Sequence, residues 1–249
     1  NNPELWEEGI EILEQAPKAT FEDFLRDNFP GSVQVDPLAS GSVNKPLNSY
    51  SGLLALASRY PQRSSEIVKS FLESNALATR FFATQFFAEY GATIDFDLKL
   101  VARRLFDREK KIRRAALDCL VTSQGKPAYN EIISIFEDRL KLPVPANQVA
   151  TIHILGQLRE LRGVTQIVNL CASENTIVAR AAQSFMALIT GHHFGADIEA
   201  WKSWWVNHGH APRSVWLVRA LRSRDARLRQ VAIDELGRLH QGKNFGFDP

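Results

Sequence analysis

Five times along the chain a small residue sits at the centre of an apolar stripe with helical spacing. The segments are Leu77-Ala-Thr-Arg-Phe-Phe-Ala83, Lys110-Lys-Ile-Arg-Arg-Ala-Ala116, Asn147-Gln-Val-Ala150, Ile177-Val-Ala-Arg-Ala-Ala182 and Arg227-Leu-Arg-Gln-Val-Ala232. Anchored on Ala83, Ala116, Ala150, Ala182 and Ala232, the copies are spaced 33, 34, 32 and 50 residues apart. Four residues on, each carries a large apolar side chain: Phe87, Leu120, Ile154, Met186 and Leu236. Four residues back stand Thr79, Ile112, Ala146, Val178 and Leu228. An i−4, i, i+4 stripe is one buried face of an α-helix, and a central alanine lets a neighbouring helix approach closely.

A second amphipathic stretch precedes each of these helices, at about 64–73, 94–106, 127–140, 163–172 and 212–223. Prolines 127 and 212 open two of them, and Gly91, Gly125, Gly191 and Gly242 follow the ends of second helices. A helix pair that recurs every 32–34 residues cannot bury its own faces, so neighbours must stack. The pattern predicts an all-α protein: an α-α superhelix of about five helix pairs.

The spacing of 50 requires an insertion, Trp-rich and spanning 191–210. Its opening, Gly191-x-x-Phe194-Gly195-x-Asp197, recurs as Gly242-x-x-Phe245-Gly246-x-Asp248. Asp197 is placed to N-cap a short helix bearing Trp201, Trp204 and Trp205. Those indoles either plug a groove between consecutive repeats or anchor a partner, since tryptophan is enriched in binding hot spots.

Residues 1–48 differ in character and predict a helical extension with a connector; the repeat array occupies 49–249. Pro3–Gln15 and Phe21–Phe29 read as short helices, the second with Thr20 as N-cap, and Pro30–Asn48 reads as an extended segment rich in Gly, Ser and Pro. The extension carries a net charge of −6 against +8 for the rest, as a polar terminal cap for the array would.

Hydrophobic-Arg-x-x-Ala followed by an apolar residue, on the second helix of each pair, resembles HEAT repeats of the short bacterial type, the HEAT-like or PBS-lyase-type repeat. Arg80, Arg113 and Arg229 match the motif arginine; Asn147 and Ala179 depart from it, with Arg180 beside the latter. The resemblance spans about 50–249 and implies that the arginine pairs with an upstream aspartate, Asp107 before Arg113 and Asp225 before Arg229. The Phe-Gly-x-Asp and Trp-x-x-Trp-Trp segment is similar to segments of bacterial HEAT-repeat proteins of uncharacterised function. Such solenoids serve many roles, so the resemblance speaks to architecture.

Candidate chemistry changes the picture little. The 249 residues are 45% hydrophobic and 23% charged, with a net charge of +2, ordinary for a globular chain. No apolar run approaches the roughly 18 residues of a membrane span. The chain begins at Asn1 and not Met, as a piece of something longer would. Cys119 and Cys171 read as buried hydrophobes, and their scarcity favours the cytoplasm. No nucleophile elbow, phosphate-binding glycine loop, dinucleotide fingerprint or His-Glu-x-x-His motif is present, so neither an enzyme nor a cofactor is expected. His192, His193, His208 and His210 lack the spacing of a familiar metal site, and no metal is expected.

Two basic clusters remain. One holds Lys99, Arg103, Arg104, Arg108, Lys110, Lys111, Arg113 and Arg114; the other holds Arg213, Arg219, Arg222, Arg224, Arg227, Arg229 and Arg238. The function read from the sequence is a protein-interaction scaffold, with second helices lining a curved face. Arg80, Arg113, Arg114, Arg180 and Arg229 are its expected polar contacts, with Trp201, Trp204 and Trp205 as anchors. The alternative is nucleic-acid or other polyanion binding through 99–114 and 213–238.

Overall fold

The computed structural model describes residues 15–29 and 60–240, together with Glu8, Glu11 and Ile12. The expected Pro3–Gln15 helix lies largely outside these residues. The connector at 30–48 and the second Gly-x-x-Phe-Gly copy near 245 lie wholly outside them. Among the described residues there are twelve α-helices and no strand. They are α1 (Lys18–Asn28), α2 (Pro61–Val68), α3 (Leu77–Tyr90), α4 (Leu98–Ala102), α5 (Lys110–Thr122) and α6 (Pro127–Lys141). Then follow α7 (Pro145–Leu158), α8 (Val164–Leu170), α9 (Thr176–Thr190), α10 (Ile198–His208), α11 (Arg213–Ala220) and α12 (Ala226–His240). Short 3-10 turns prolong α2 through Glu73 and α4 through Phe106. The fold is all-α, and no described helix is long and apolar enough to cross a membrane.

The chain divides into two compact units, 1–129 and 130–249. In the first unit, α3 packs along α5, with α2 and α4 as their preceding partners. In the second, α7 packs along α9, while α8 and α11 pair with α9 and α12. Contact thus runs between helices adjacent in sequence and between successive second helices, as in an α-α superhelical arrangement.

The apolar stripes form these contacts. Ala83 and Phe87, Ile112, Ala116 and Leu120, and Val178, Ala182 and Met186 are fully buried. In α7 the stripe is displaced by one residue. Ala150 is half-buried, while Thr151 and Leu155 are fully buried, so Thr151 holds the deep position that spacing assigned to Ala150.

The acidic extension does not stand apart. Phe21 and Leu25 of α1 pack on Ile67 of α2, Phe29 stacks on Phe71 at 5.0 Å, and the Arg63 guanidinium lies 4.0 Å over the Phe21 ring. Helix α1 begins earlier than expected, after Pro17 and with no side-chain cap; Thr20 lies within its first turn.

Candidate functional site

The repeat arginines are spent on the fold. Each sits in the first turn of a second helix and reaches back to carbonyls in the turn that follows the preceding helix. Arg80 donates to Ser74 O at 2.7 Å. Arg113 donates to Asp107 O and Arg108 O, both at 2.8 Å. Arg229 donates to Ser223 O at 2.8 Å and Arg224 O at 3.0 Å. A helix C-terminus leaves carbonyls without partners, and a cation there satisfies them and complements the helix dipole.

The two copies without the arginine use glutamine for the same purpose. Gln148 Nε2 donates to Leu140 O at 3.0 Å, and Gln183 Nε2 to Cys171 O at 2.8 Å. With Thr151 as the deep residue of α7, Gln148 stands where the arginine stands elsewhere. Gln183 lies one helical turn beyond Ala179, on the same face.

The implied Asp–Arg pairing is realised differently. The Asp107 carboxylate binds Arg80 of the preceding helix pair, at 2.7 Å, and lies 3.6 Å from Arg104; Arg113 reaches only its backbone carbonyl. Burial raises the Asp107 pKa, but the Arg80 bond, the Glu109 N–H and the two guanidinium charges outweigh it and hold the carboxyl below its ordinary range. Asp225 accepts from the Arg227 N–H at 2.8 Å, as a cap for α12.

The tryptophans are largely core. Trp201 is fully buried and donates Nε1–H to Gly195 O at 3.1 Å. Trp204 is buried against His192, His208 and Trp216, with ring centroids 5.1–5.4 Å apart. Trp216, which the sequence reading passed over, is also buried and donates to His208 O at 2.7 Å. Trp205 is half-buried, 5.6 Å from Trp216. Trp201 and Trp204 therefore plug the second unit and are not available as partner anchors. Asp197 caps α10 as expected, accepting from Ala200 N at 2.9 Å. Two of the insert histidines, His192 and His208, pack on this cluster; His192 also contacts Thr190 O and His208 contacts Arg219. Among the described residues, no three His, Cys, Asp or Glu side chains gather closely enough to hold a metal.

The basic clusters fall in different units. Arg213 is buried: it donates to Ile189 O at 3.0 Å, Leu188 O at 3.1 Å and the Glu235 carboxylate at 2.7 Å. Glu235, also buried, accepts a two-pronged bond from Arg159 at 2.6 and 2.7 Å. Arg159 closes α7 in the left-handed conformation, φ 56°, and its guanidinium also caps the Gly156 carbonyl. Burial draws the Arg213 pKa down, yet its ordinary value is so high that it stays a cation. Burial likewise opposes ionisation of Glu235, but its two arginine partners prevail and lower its pKa.

Two concave surfaces collect arginines from these clusters. The outer face of α11 lines a depression of about 320 Å³ with Ser214, Val215, Val218, Arg219 and Arg222. Val215, Val218 and Leu221 are exposed there, Val218 by 53%. In the first unit, a polar cavity of about 400 Å³ collects Arg80, Arg103, Arg104 and Arg108. Of the arginines expected to meet a partner, Arg114 and Arg180 are exposed, and Arg114 pairs with Asp118 at 3.1 Å.

No protein-family model and no curated protein matches the chain. Among solved structures, a crystal structure of an engineered protein aligns over 95% of this chain and 97% of its own, at 15% identity and a TM-score of 0.36. So low a score carries no argument about fold or function.

Proposed function

We propose that the chain is a HEAT-like helical-repeat scaffold of the cytoplasm that binds a protein segment on the outer face of α11. The observation that carries this reading is the depression lined by Val215, Val218, Arg219 and Arg222. Valines at i and i+3 give an apolar strip that water covers at a cost, and the arginines beside it select carboxylates. The matching ligand is a short segment that alternates apolar and acidic side chains. Two features support the repeat identity: the recurrent back-bond from each second helix, and the Arg80–Asp107 bridge between successive pairs. Buried free thiols at Cys119 and Cys171 suit a reducing compartment.

Binding of an extended polyanion fits less well. Arg213 is held in the core, and Arg113 and Arg229 are engaged by backbone carbonyls. Panning a random peptide display library on the protein tests the proposal. Enriched peptides should combine apolar and acidic residues, lose binding to Val218→Glu, and weaken only moderately with salt. Peptides that bind Val218→Glu undiminished, or a steep log–log salt dependence with basic clusters left as the only determinant, would overturn it.

A further inference from the structure

We propose that the cavity between the first two helix pairs, built from Ser74, Asn75, Arg103, Arg104 and Arg108, is a binding site for a single phosphate group, free or as a monoester. This site is separate from the α11 surface and does not depend on it.

The cavity holds about 400 Å³, enough for a phosphate and part of what it is attached to. Its charge is unbalanced: four arginines line it against Glu73 and Asp107. Asp107 does not repel an anion effectively, because its carboxylate is buried and already engaged by Arg80 at 2.7 Å and Arg104 at 3.6 Å. That pairing instead fixes two guanidiniums at the cavity wall. Glu73 pairs with Arg103 at 3.0 Å, but both side chains are more than 60% exposed, and such a pair is worth little in water. Arg103 can therefore exchange Glu73 for a better acceptor at small cost.

Two observations point to an anion. The Arg104 Nε is buried with no hydrogen-bond partner among the described residues, and Arg104 is one of the residues that line the cavity. A buried donor left without an acceptor is costly, and most such groups find one. Arg108 is exposed, lines the same cavity and makes no ion pair among the described residues; its backbone carbonyl accepts from Arg113. Arginine's planar fork suits phosphate oxygens, which can accept from two guanidiniums at once. The Ser74 hydroxyl accepts from Ala76 N and retains its own proton to donate.

The site also explains why this corner of the first unit carries three arginines within six residues, 103–108. In the second unit, Arg222 instead borders the depression that it shares with Val215 and Val218.

The test is a titration of the full chain with inorganic phosphate, O-phosphoserine and adenosine monophosphate, read by calorimetry and by phosphorus NMR line broadening. Saturable binding with a dissociation constant of about a millimolar or tighter is expected for at least one probe. Arg108→Gln and Arg103→Gln should each weaken it about tenfold, while leaving the thermal melt unchanged. Arg222→Gln, in the other unit, should leave it intact. Binding should also strengthen as the probe gains its second charge, near pH 6 for an ester. Preference for free phosphate or for an ester identifies the source of the ligand. No saturation below about 10 mM for any probe, or affinity unchanged in both Arg103→Gln and Arg108→Gln, overturns the proposal.

Discussion

Glu235→Gln is the sharpest test of how the second unit is held together. The Glu235 carboxylate is buried and joins residues 76 and 22 positions away, Arg159 and Arg213, through three bonds of 2.6–2.7 Å. Glutamine keeps the shape but removes the charge, and it turns an NH2 toward one of the guanidiniums. Breaking a buried ion pair by removing one partner costs about 3–5 kcal/mol. The lower end applies here, because both guanidiniums keep other acceptors: the Leu188 and Ile189 carbonyls for Arg213, and the Gly156 carbonyl for Arg159. With a urea m-value of roughly 1.5 kcal/mol/M, a loss of about 3 kcal/mol lowers the unfolding midpoint by about 2 M. Four of the five tryptophans lie in the second unit, so intrinsic fluorescence reports its transition. The pH dependence has a definite sign. Glu235 titrates below the ordinary 4.5, so its contribution is fully present above that value and is lost as pH falls through the folded pKa. The gap between wild type and Glu235→Gln should therefore narrow in acid. A midpoint within about 0.3 M of wild type at neutral pH would show that the network contributes nothing net.

Gly191→Ala should destabilise the same unit by about 2 kcal/mol or more, read by the same fluorescence transition. Gly191 adopts φ +69°, which strains an L-residue, and an added Cβ would lie 2.4 Å from the Ala220 Cβ. A neutral effect would mean that α9 and α11 separate easily. Cys119 and Cys171 are buried, and burial pushes both thiols up to about 12. Neither should react with a disulfide reagent at pH 8 until urea unfolds the chain; prompt labelling of the native protein would contradict the packing of α5 or α8.

The helical repeat was legible because it is written in local periodicity. A stripe such as Ile112, Ala116 and Leu120 needs only one helix to be recognised, and all three residues are buried. The α7 copy was misplaced by one residue because its deep position holds Thr151, whose hydroxyl hides it from an apolar pattern. The site was harder to read. An arginine on a second helix looks the same in sequence whether its guanidinium faces solvent or a carbonyl six residues upstream. Arg80 and Arg113 thus resembled partner contacts while serving as ties. Trp201 and Trp204 posed the same ambiguity, resolved by burial that no local pattern encodes. The Arg159–Glu235 bridge, spanning 76 residues, has no local signature at all.

These misreadings share a cause that also indicates where binding resides. In a stacked array, the turn between paired helices exposes carbonyls at every repeat, and basic or amide side chains are recruited to cover them. A count of arginines therefore overstates the charge free for a ligand. What remains is the smaller group of side chains that the fold leaves unused, Arg180 on α9 among them. Beside one depression that group includes Val215 and Val218 of α11 and Arg222 just past its end; beside the other it includes Arg108 and the unpartnered Nε of Arg104. Both sets lie beside depressions, as side chains left over from packing need not. That coincidence of unspent groups with concave surface, more than net charge or composition, is the physical reason to look for ligands at these two places.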